Sequence, residues 1–138
     1  MTAPALLTAH DSGVYRTPAG IESLRQRARG SGAAWLEADL ARALDKARVL
    51  ETIARACDVP ATFGANWDAL ADSVQDLSWR PARVYVLHLS HAAAATQALG
   101  LEWHTLMQIL GEAVLYWKDR GTAFVVLVDS ATDLPAWT

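Results

Sequence analysis

The segment from Thr122 to Val128 is apolar at every position after the threonine, and no polar residue alternates with the apolar ones. A strand with one face in water alternates polar and apolar side chains, so this segment predicts a strand covered on both faces, as in a parallel sheet. Two other segments have strand character. Arg83–Leu89 is rich in β-branched and aromatic residues, and Ala33–Leu40 is an apolar run interrupted on one side by Glu37 and Asp39. The chain is therefore expected to build its core around three strands.

Helical periodicity occupies the segments between these strands. One helix begins after a cap at Asp45, a second begins after a cap at Asn66 and reaches about Leu77, and a third runs from Trp103 to Arg120. Their apolar stripes are Leu50, Ile53, Ala54 and Cys57 in the first, Trp67, Leu70, Val74 and Leu77 in the second, and Leu106, Ile109, Leu110, Ala113 and Trp117 in the third. Strands that alternate with helices run parallel and are joined by right-handed crossovers. The predicted fold is α/β, a small three-stranded parallel sheet with packed helices, and the alanine run Ala92–Ala95 is assigned to a connection.

Residues 1–32 differ in character from the remainder of the chain. They contain two prolines and four arginines and close on Gly30-Ser31-Gly32, which predicts a hinge or turn. Within them Ile21, Leu24 and Ala28 share one helical face, so we expect a short helix from about Ala19 to Arg29. The arginines fit a solvated helix face better than a nucleic-acid arm. We therefore divide the chain into an N-terminal extension with a short helix, residues 1–32, and a second domain, residues 33–138.

Charge and cysteine content narrow the class of protein. The 138 residues carry a formal net charge of −3, the wrong sign for a protein that binds nucleic acid through its phosphates. Cys57 is the single cysteine, so no internal disulfide forms and a cysteine-rich metal site is disfavoured. The longest apolar runs fall far short of the roughly 20 residues of a membrane span, and no secretory signal is recognisable. We expect a cytoplasmic protein with no membrane partner and no direct nucleic-acid partner.

Motifs of the common enzyme classes are absent from the sequence. It contains no HExxH pair, no Gly-x-Ser-x-Gly elbow, no Walker loop and no Gly-x-Gly-x-x-Gly. The histidines are scattered, and although His88 and His91 could form a site at a strand end, such a pair more often decorates the surface. We therefore expect no metal site, no cofactor and no catalytic residues.

The second helix carries the strongest candidate site. Asp68, Asp72 and Asp76 lie at i, i+4 and i+8 and so share one face, and neither lysine nor arginine occurs between Ala56 and Trp79. An ordinary solvated face is the alternative, yet such a face usually mixes charges of both signs. The spacing leaves a functional acidic patch and a solvated face about equally probable. Trp79, just past this helix, and Trp137, in the tail, are the tryptophans expected at an interface.

The segment from Pro60 to Asp72 resembles the signature of the barstar family in its Pro, Gly, Asn, Asp-Ala-Leu and final Asp. The resemblance implies an inhibitor that blocks a guanyl-preferring ribonuclease of the barnase type with carboxylates in place of RNA phosphates. It makes Asp72 the main phosphate mimic and Asp68 a second acid. It places Thr62, Phe63, Gly64 and Asn66 in the loop over the guanine-binding region. Asp76 is an addition of this sequence, and the protein is expected to be monomeric when free.

Several positions depart from the family pattern. Thr62 replaces the first of two aromatic loop residues, Ala71 stands where the helix of some members has a tryptophan, and Tyr116 and Arg120 stand where the resemblance implies acids. These changes bear on the identity of the enzyme and leave Asp68 and Asp72 in place. The alternative function is a barstar-like immunity or adaptor protein that binds another basic toxin or protein.

Overall fold

The computed structural model describes residues 7–60 and 64–137. Within them a 3-10 turn at Ala9–Asp11 precedes four strands and five helices. The strands are β1 (Gly13–Arg16), β2 (Ala34–Asp39), β3 (Val84–Ser90) and β4 (Ala123–Val128). The helices are α1 (Ile21–Gly30), α2 (Lys46–Ala56), α3 (Trp67–Val74), α4 (Ala93–Leu99) and α5 (Leu101–Lys118). In this part of the chain no helix is both long enough and apolar enough to cross a membrane.

The strands form one parallel sheet in the order β1-β4-β3-β2. The α/β class and the parallel arrangement of the predicted strands are confirmed, but the prediction of three strands is wrong. The fourth strand, β1, pairs with β4 from Gly13 opposite Val125 to Arg16 opposite Val128. The sequence does not predict β1, because the strand is short and mixes a glycine and an arginine with its apolar residues. Its place in the sheet comes from backbone pairing with β4. With β1 in place β4 is an interior strand, which accounts for its unbroken apolar run.

The two faces of the sheet support cores of different size. Leu36, Leu87 and Val126 form one row across β2, β3 and β4 and belong to the larger core, which α2, α3 and α5 cover. Their neighbours along the strands point to the opposite face, where Trp35 packs with Leu24 of α1 in the smaller core. The helix predicted from about Ala19 to Arg29 is α1. Residues 7–32 therefore supply an edge strand and the helix that covers the second face.

Two predicted helix caps are formed. The Asp45 side chain accepts a hydrogen bond from Arg48 N at 2.8 Å, and the Asn66 side chain accepts one from Ala69 N at 2.7 Å. These bonds satisfy amide groups that a helix N-terminus leaves without partners. Cys57, predicted to lie in the core, is fully buried at the end of α2, and burial raises the pKa of its thiol to about 12.

The structure corrects two helix predictions. The alanine run Ala92–Ala95 was assigned to a connection, but most of it belongs to α4 (Ala93–Leu99), because alanine has the highest helix propensity and Ala95 and Leu99 are buried. The second predicted helix ends at Val74 and not near Leu77. Leu77 takes a left-handed backbone conformation, with φ of 51°, which a continuing helix does not allow. Leu77 is still buried in the core, but it reaches the core from the loop after α3 and not from the helix itself.

Candidate protein-binding site

Helix α3 is held in place at its inner face and at both ends. Leu70 and Val74 are fully buried on its inner face. The Asn66 cap fixes its N-terminus, and at its C-terminus the Trp117 indole N–H of α5 donates to the Val74 carbonyl at 2.7 Å. The exposed side of α3 is therefore presented by a short helix that has little freedom to reorient.

Three carboxylates stand on this exposed side. Asp68, Asp72 and Asp76 are all exposed, and none of them forms an ion pair with a residue that the structure describes. The prediction that all three lie on one helix is wrong for Asp76. It lies in the turn after α3, where its Oδ1 accepts from Ser78 N at 3.3 Å. The fourth acid of this region, Asp58, is paired with Arg80 and so adds little to the local negative field.

A shallow pocket of about 390 Å³ lies beside these carboxylates. We call it the acidic pocket. Its lining includes Pro60, Gly64, Asp72, Ser73, Asp76 and Trp79. Four of the predicted site residues, Gly64, Asp72, Asp76 and Trp79, therefore meet at one depression. Asn66 and Asp68 are not part of its lining, and Thr62 and Phe63 lie outside the described residues.

Trp79 forms one wall of the acidic pocket. It is half-buried, and its indole N–H donates to the Cys57 carbonyl at 2.9 Å, which ties the wall to the end of α2. The next residue, Arg80, pairs with Asp58 from that same end. The indole is therefore fixed at the border between the core and the pocket, and partly buried tryptophans of this kind are frequent energetic anchors of interfaces.

A lysine from another helix lies at the opposite end of α3. Lys46 Nζ is 5.4 Å from the centre of the Trp67 ring and 3.8 Å from Glu102 Oε1, and the Trp67 indole N–H points to that same oxygen at 3.4 Å. This contact has no local signature in the sequence, because Lys46 and Trp67 belong to different helices. The cation comes from α2, and it is already engaged by Glu102 and Trp67.

Arg120 and Tyr116 form a local pair at the end of α5. The Arg120 guanidinium lies 3.6 Å from the centre of the Tyr116 ring, and its Nη1 donates to the Tyr116 carbonyl at 2.9 Å. Trp117, between them, bonds to the last residue of α3. The pair is thus near the C-terminal end of α3, and the cation also complements the helix dipole of α5.

Two other sequence interpretations need correction. Trp137 packs edge-on against Tyr15, with ring centres 5.0 Å apart, in the smaller core on the sheet face opposite α3. His88 is not surface decoration: it is 4% exposed and lies between the carboxylates of Glu37 and Asp129. Among the described residues no group of three or more histidine, cysteine or acidic side chains is arranged to hold a metal ion.

The acidic pocket and the free carboxylates can bind cations. A carboxylate accepts two parallel hydrogen bonds from an arginine, and such charge-assisted bonds are about twice as strong as neutral ones. The pocket lining that the structure describes supplies acids, a hydroxyl and apolar surface but no cation. This arrangement fits a basic protein surface that carries arginine or lysine.

The part of the chain that contains α3 and the acidic pocket is similar to a known protein family. A family model described as barstar (barnase inhibitor) matches residues 33–129, more than half of the chain. No curated protein matches. The matched range runs from just before β2 to just after β4, so it includes α3 and the acidic pocket and leaves β1 and α1 outside.

Proposed function

Because the chain belongs to the barstar family, we propose that it binds and inhibits a ribonuclease of the barnase type by placing carboxylates of α3 in the enzyme's phosphate-binding site. The observation that carries the proposal is the exposed row of Asp68 and Asp72 on a helix fixed at both ends, with Asp76 in the turn beyond, and no ion pair among the described residues for any of them. Asp72 is the main phosphate mimic because it lies between the other two carboxylates along the chain and also lines the acidic pocket.

The chemistry of such an enzyme favours this mode of binding. A site that holds RNA phosphates presents Arg, Lys and His, and these groups also donate charge-assisted hydrogen bonds to a carboxylate. Rigidity adds to affinity because fewer side chains have to be ordered on association. The buried Leu70 and the bond from Trp117 to Val74 supply that rigidity to α3. The acidic pocket then receives a basic side chain of the enzyme between Asp72 and Trp79.

Titration of the purified protein into a guanyl-preferring ribonuclease of the barnase type tests the proposal directly. RNA cleavage should fall in proportion to added inhibitor and stop near one equivalent. The Asp72→Asn variant is the matched control, because it keeps the size of the side chain and removes its charge. Undiminished cleavage in the presence of a large excess of folded protein would contradict the proposal.

An alternative partner is favoured by one observation. Arg120 projects a cation from the end of α5 near α3, where a basic cleft would repel it. A barstar-like immunity or adaptor protein whose basic partner carries an acid opposite Arg120 would use the same acidic pocket. This alternative is supported if the chain leaves the ribonuclease active and binds a basic toxin that lacks ribonuclease activity.

Association should be faster at low salt. An acidic face that meets a basic cleft is steered over the Debye length, which shrinks from about 10 Å at 0.1 M to about 3 Å at 1 M. We expect the association rate constant with the ribonuclease to fall by about tenfold or more over that range, while the dissociation rate changes less. Stopped-flow fluorescence would measure both rates. A rate constant independent of salt would indicate a mainly apolar interface.

Replacement of Arg120 by glutamate should strengthen binding to a generic barnase-type ribonuclease. The substitution removes a cation that faces the basic cleft and adds an anion, so the gain should appear chiefly in the association rate. With a partner that presents an acid opposite Arg120 the same variant should bind more weakly. Arg120→Gln is the matched control, since it removes the cation without adding charge. If neither substitution alters binding, Arg120 serves only the end of α5.

A further inference from the structure

His88 lies between two carboxylates near the carboxyl ends of the strands. Its Nδ1 lies 2.9 Å from Glu37 Oε2 and 3.0 Å from Oε1, and its Nε2 lies 2.9 Å from Asp129 Oδ1. Glu37 belongs to β2, His88 to β3, and Asp129 follows β4 directly. We call these three residues the His88 cluster. It lies on the sheet face that α1 covers, away from α3 and the acidic pocket.

The geometry favours the doubly protonated form of the ring. A neutral imidazole has one N–H donor and one lone pair, so one of its nitrogens would direct a lone pair at a carboxylate. Only the imidazolium donates to both partners. We propose that His88 is held as an imidazolium at neutral pH and that its charge clamps the ends of β2, β3 and β4, so that the fold loosens when this proton is lost. This inference does not depend on the proposed function.

The clamp extends to α1 through Glu37. Glu37 Oε1 also accepts from the Trp35 indole N–H at 2.8 Å and from Arg25 Nη2 at 3.2 Å. Arg25 comes from α1 and lies over the Trp35 ring, with 5.5 Å from Cζ to the ring centre. The helix on the second face is therefore attached at the same carboxylate that binds His88.

A second branch extends from Asp129 to the loops at the sheet edge. Its Oδ2 accepts from His91 N at 2.9 Å, which helps to hold His91 at a left-handed φ of 53°. The exposed His91 ring lies 2.9 Å from Asp39 Oδ1. The charged and titratable groups around His88 are thus Glu37 and Asp129 in direct contact, Arg25 and His91 one contact further out, and Asp39 and Glu22 beyond those two.

The pKa shifts of His88, Glu37 and Asp129 agree with a charged His88 ring. Burial alone would lower the pKa of His88, but the hydrogen bonds and charges of Glu37 and Asp129 raise it above its usual value. Burial alone would raise the pKa of Glu37, but hydrogen bonds from His88 and Trp35 together with the charge of His88 bring it down to about 2. The pKa of Asp129 is likewise lowered, against the effect of burial.

The directions of these pKa shifts determine the pH range in which the His88 cluster stabilises the fold most. A raised pKa of His88 contributes stability that is fully present below the pKa of an unfolded histidine, about 6.5, and is lost as pH rises through the folded value. A lowered pKa of Glu37 contributes stability above the unfolded value, about 4.5, and is lost as pH falls toward 2. The His88 cluster therefore stabilises the fold most between about pH 4.5 and 6.5.

Nuclear magnetic resonance of the imidazole rings would test the protonation state in the intact chain. At pH 7 both ring nitrogens of His88 should carry protons. The variants Glu37→Gln and Asp129→Asn should each shift deprotonation of His88 to lower pH, because each removes one of its two anions. The His88→Gln variant identifies the signal. A single ring proton on His88 at pH 7, or a titration unchanged by both substitutions, would overturn the proposal.

Urea unfolding between pH 6 and 8.5 would test the clamp itself. While the folded state holds the His88 proton and the unfolded state does not, the folding constant of the natural chain should fall by up to about tenfold per pH unit. His88→Gln should lack this component, whereas His104→Gln, at an exposed position on α5, should keep it. If His88→Gln fails to fold, Glu37→Gln replaces it and should show a shallower fall. Equal slopes for the natural chain and Glu37→Gln would contradict the clamp.

Discussion

Replacing Asp72 by alanine should weaken binding to the ribonuclease by about 2 to 5 kcal/mol, which is the usual cost of removing one partner of a buried, hydrogen-bonded charge pair. Asp72 lies between Asp68 and Asp76 along the chain and lines the acidic pocket, so in the proposed complex its carboxylate would be fully removed from water. Asp76→Ala should cost less, because Asp76 lies in the turn beyond α3 and one of its oxygens already accepts from Ser78 N. Titration calorimetry with the two variants would measure both losses.

The ranking of the two aspartates is the decisive outcome. Both side chains are exposed in the free protein, so Asp72→Ala should alter the free energy of unfolding by no more than about 0.5 kcal/mol. Asp76→Ala also removes the hydrogen bond from Ser78 N and should cost about 0.5 to 1.5 kcal/mol. Equal and small losses of affinity would mean that α3 does not enter the enzyme's site. A larger loss for Asp76 would move the centre of the interface to the turn after the helix.

Replacing Leu70 by alanine should lower the free energy of unfolding by about 2 to 5 kcal/mol. Leu70 is fully buried on the inner face of α3, so the change removes apolar surface and leaves a cavity within the larger core. Urea unfolding followed by tryptophan fluorescence would measure the loss. Leu70→Met, which nearly conserves volume, is the matched control and should cost less than about 1.5 kcal/mol.

Binding by the Leu70 variants separates support of the helix from contact with the partner. Leu70 points away from Asp68 and Asp72, so the folded fraction of Leu70→Ala should still inhibit the ribonuclease. Its association rate should stay close to that of the natural chain, because the charges that steer it are unchanged. A loss of stability no greater for alanine than for methionine would show that Leu70 is not held in a tightly packed core.

Local sequence signals account for the elements that were predicted. The unbroken run of β4 reflects burial on both faces, and the caps at Asp45 and Asn66 act within their own first turns. The elements that were missed or misplaced depend on distant parts of the chain. Strand β1 gains its partners from β4, and α3 ends early because Leu77 turns back into the core.

The same distinction applies to the candidate site and to the buried histidine. Asp72, Gly64 and Asp68 could be assigned because the resemblance to the barstar signature is carried by contiguous residues. Pairing of Lys46 with Glu102 joins two helices and has no local signature. The partners of His88 lie 51 and 41 residues away along the chain, so no window of sequence shows that this histidine is charged and buried.

The strand order β1-β4-β3-β2 has a consequence for how the protein is made. Among the strands that the structure describes, β4 comes last along the chain, yet it lies between β1, which comes first, and β3. While the chain emerges from the ribosome, β1 therefore has no neighbour in the sheet, and β3 keeps one edge open, until residues 123–128 have left the exit tunnel. Late closure of this kind leaves strand edges unpaired until β4 has been synthesised. The insertion of β4 between β1 and β3 then completes the sheet. In a partly made chain that lacks β4, β1 cannot join the sheet and the edge of β3 stays unpaired.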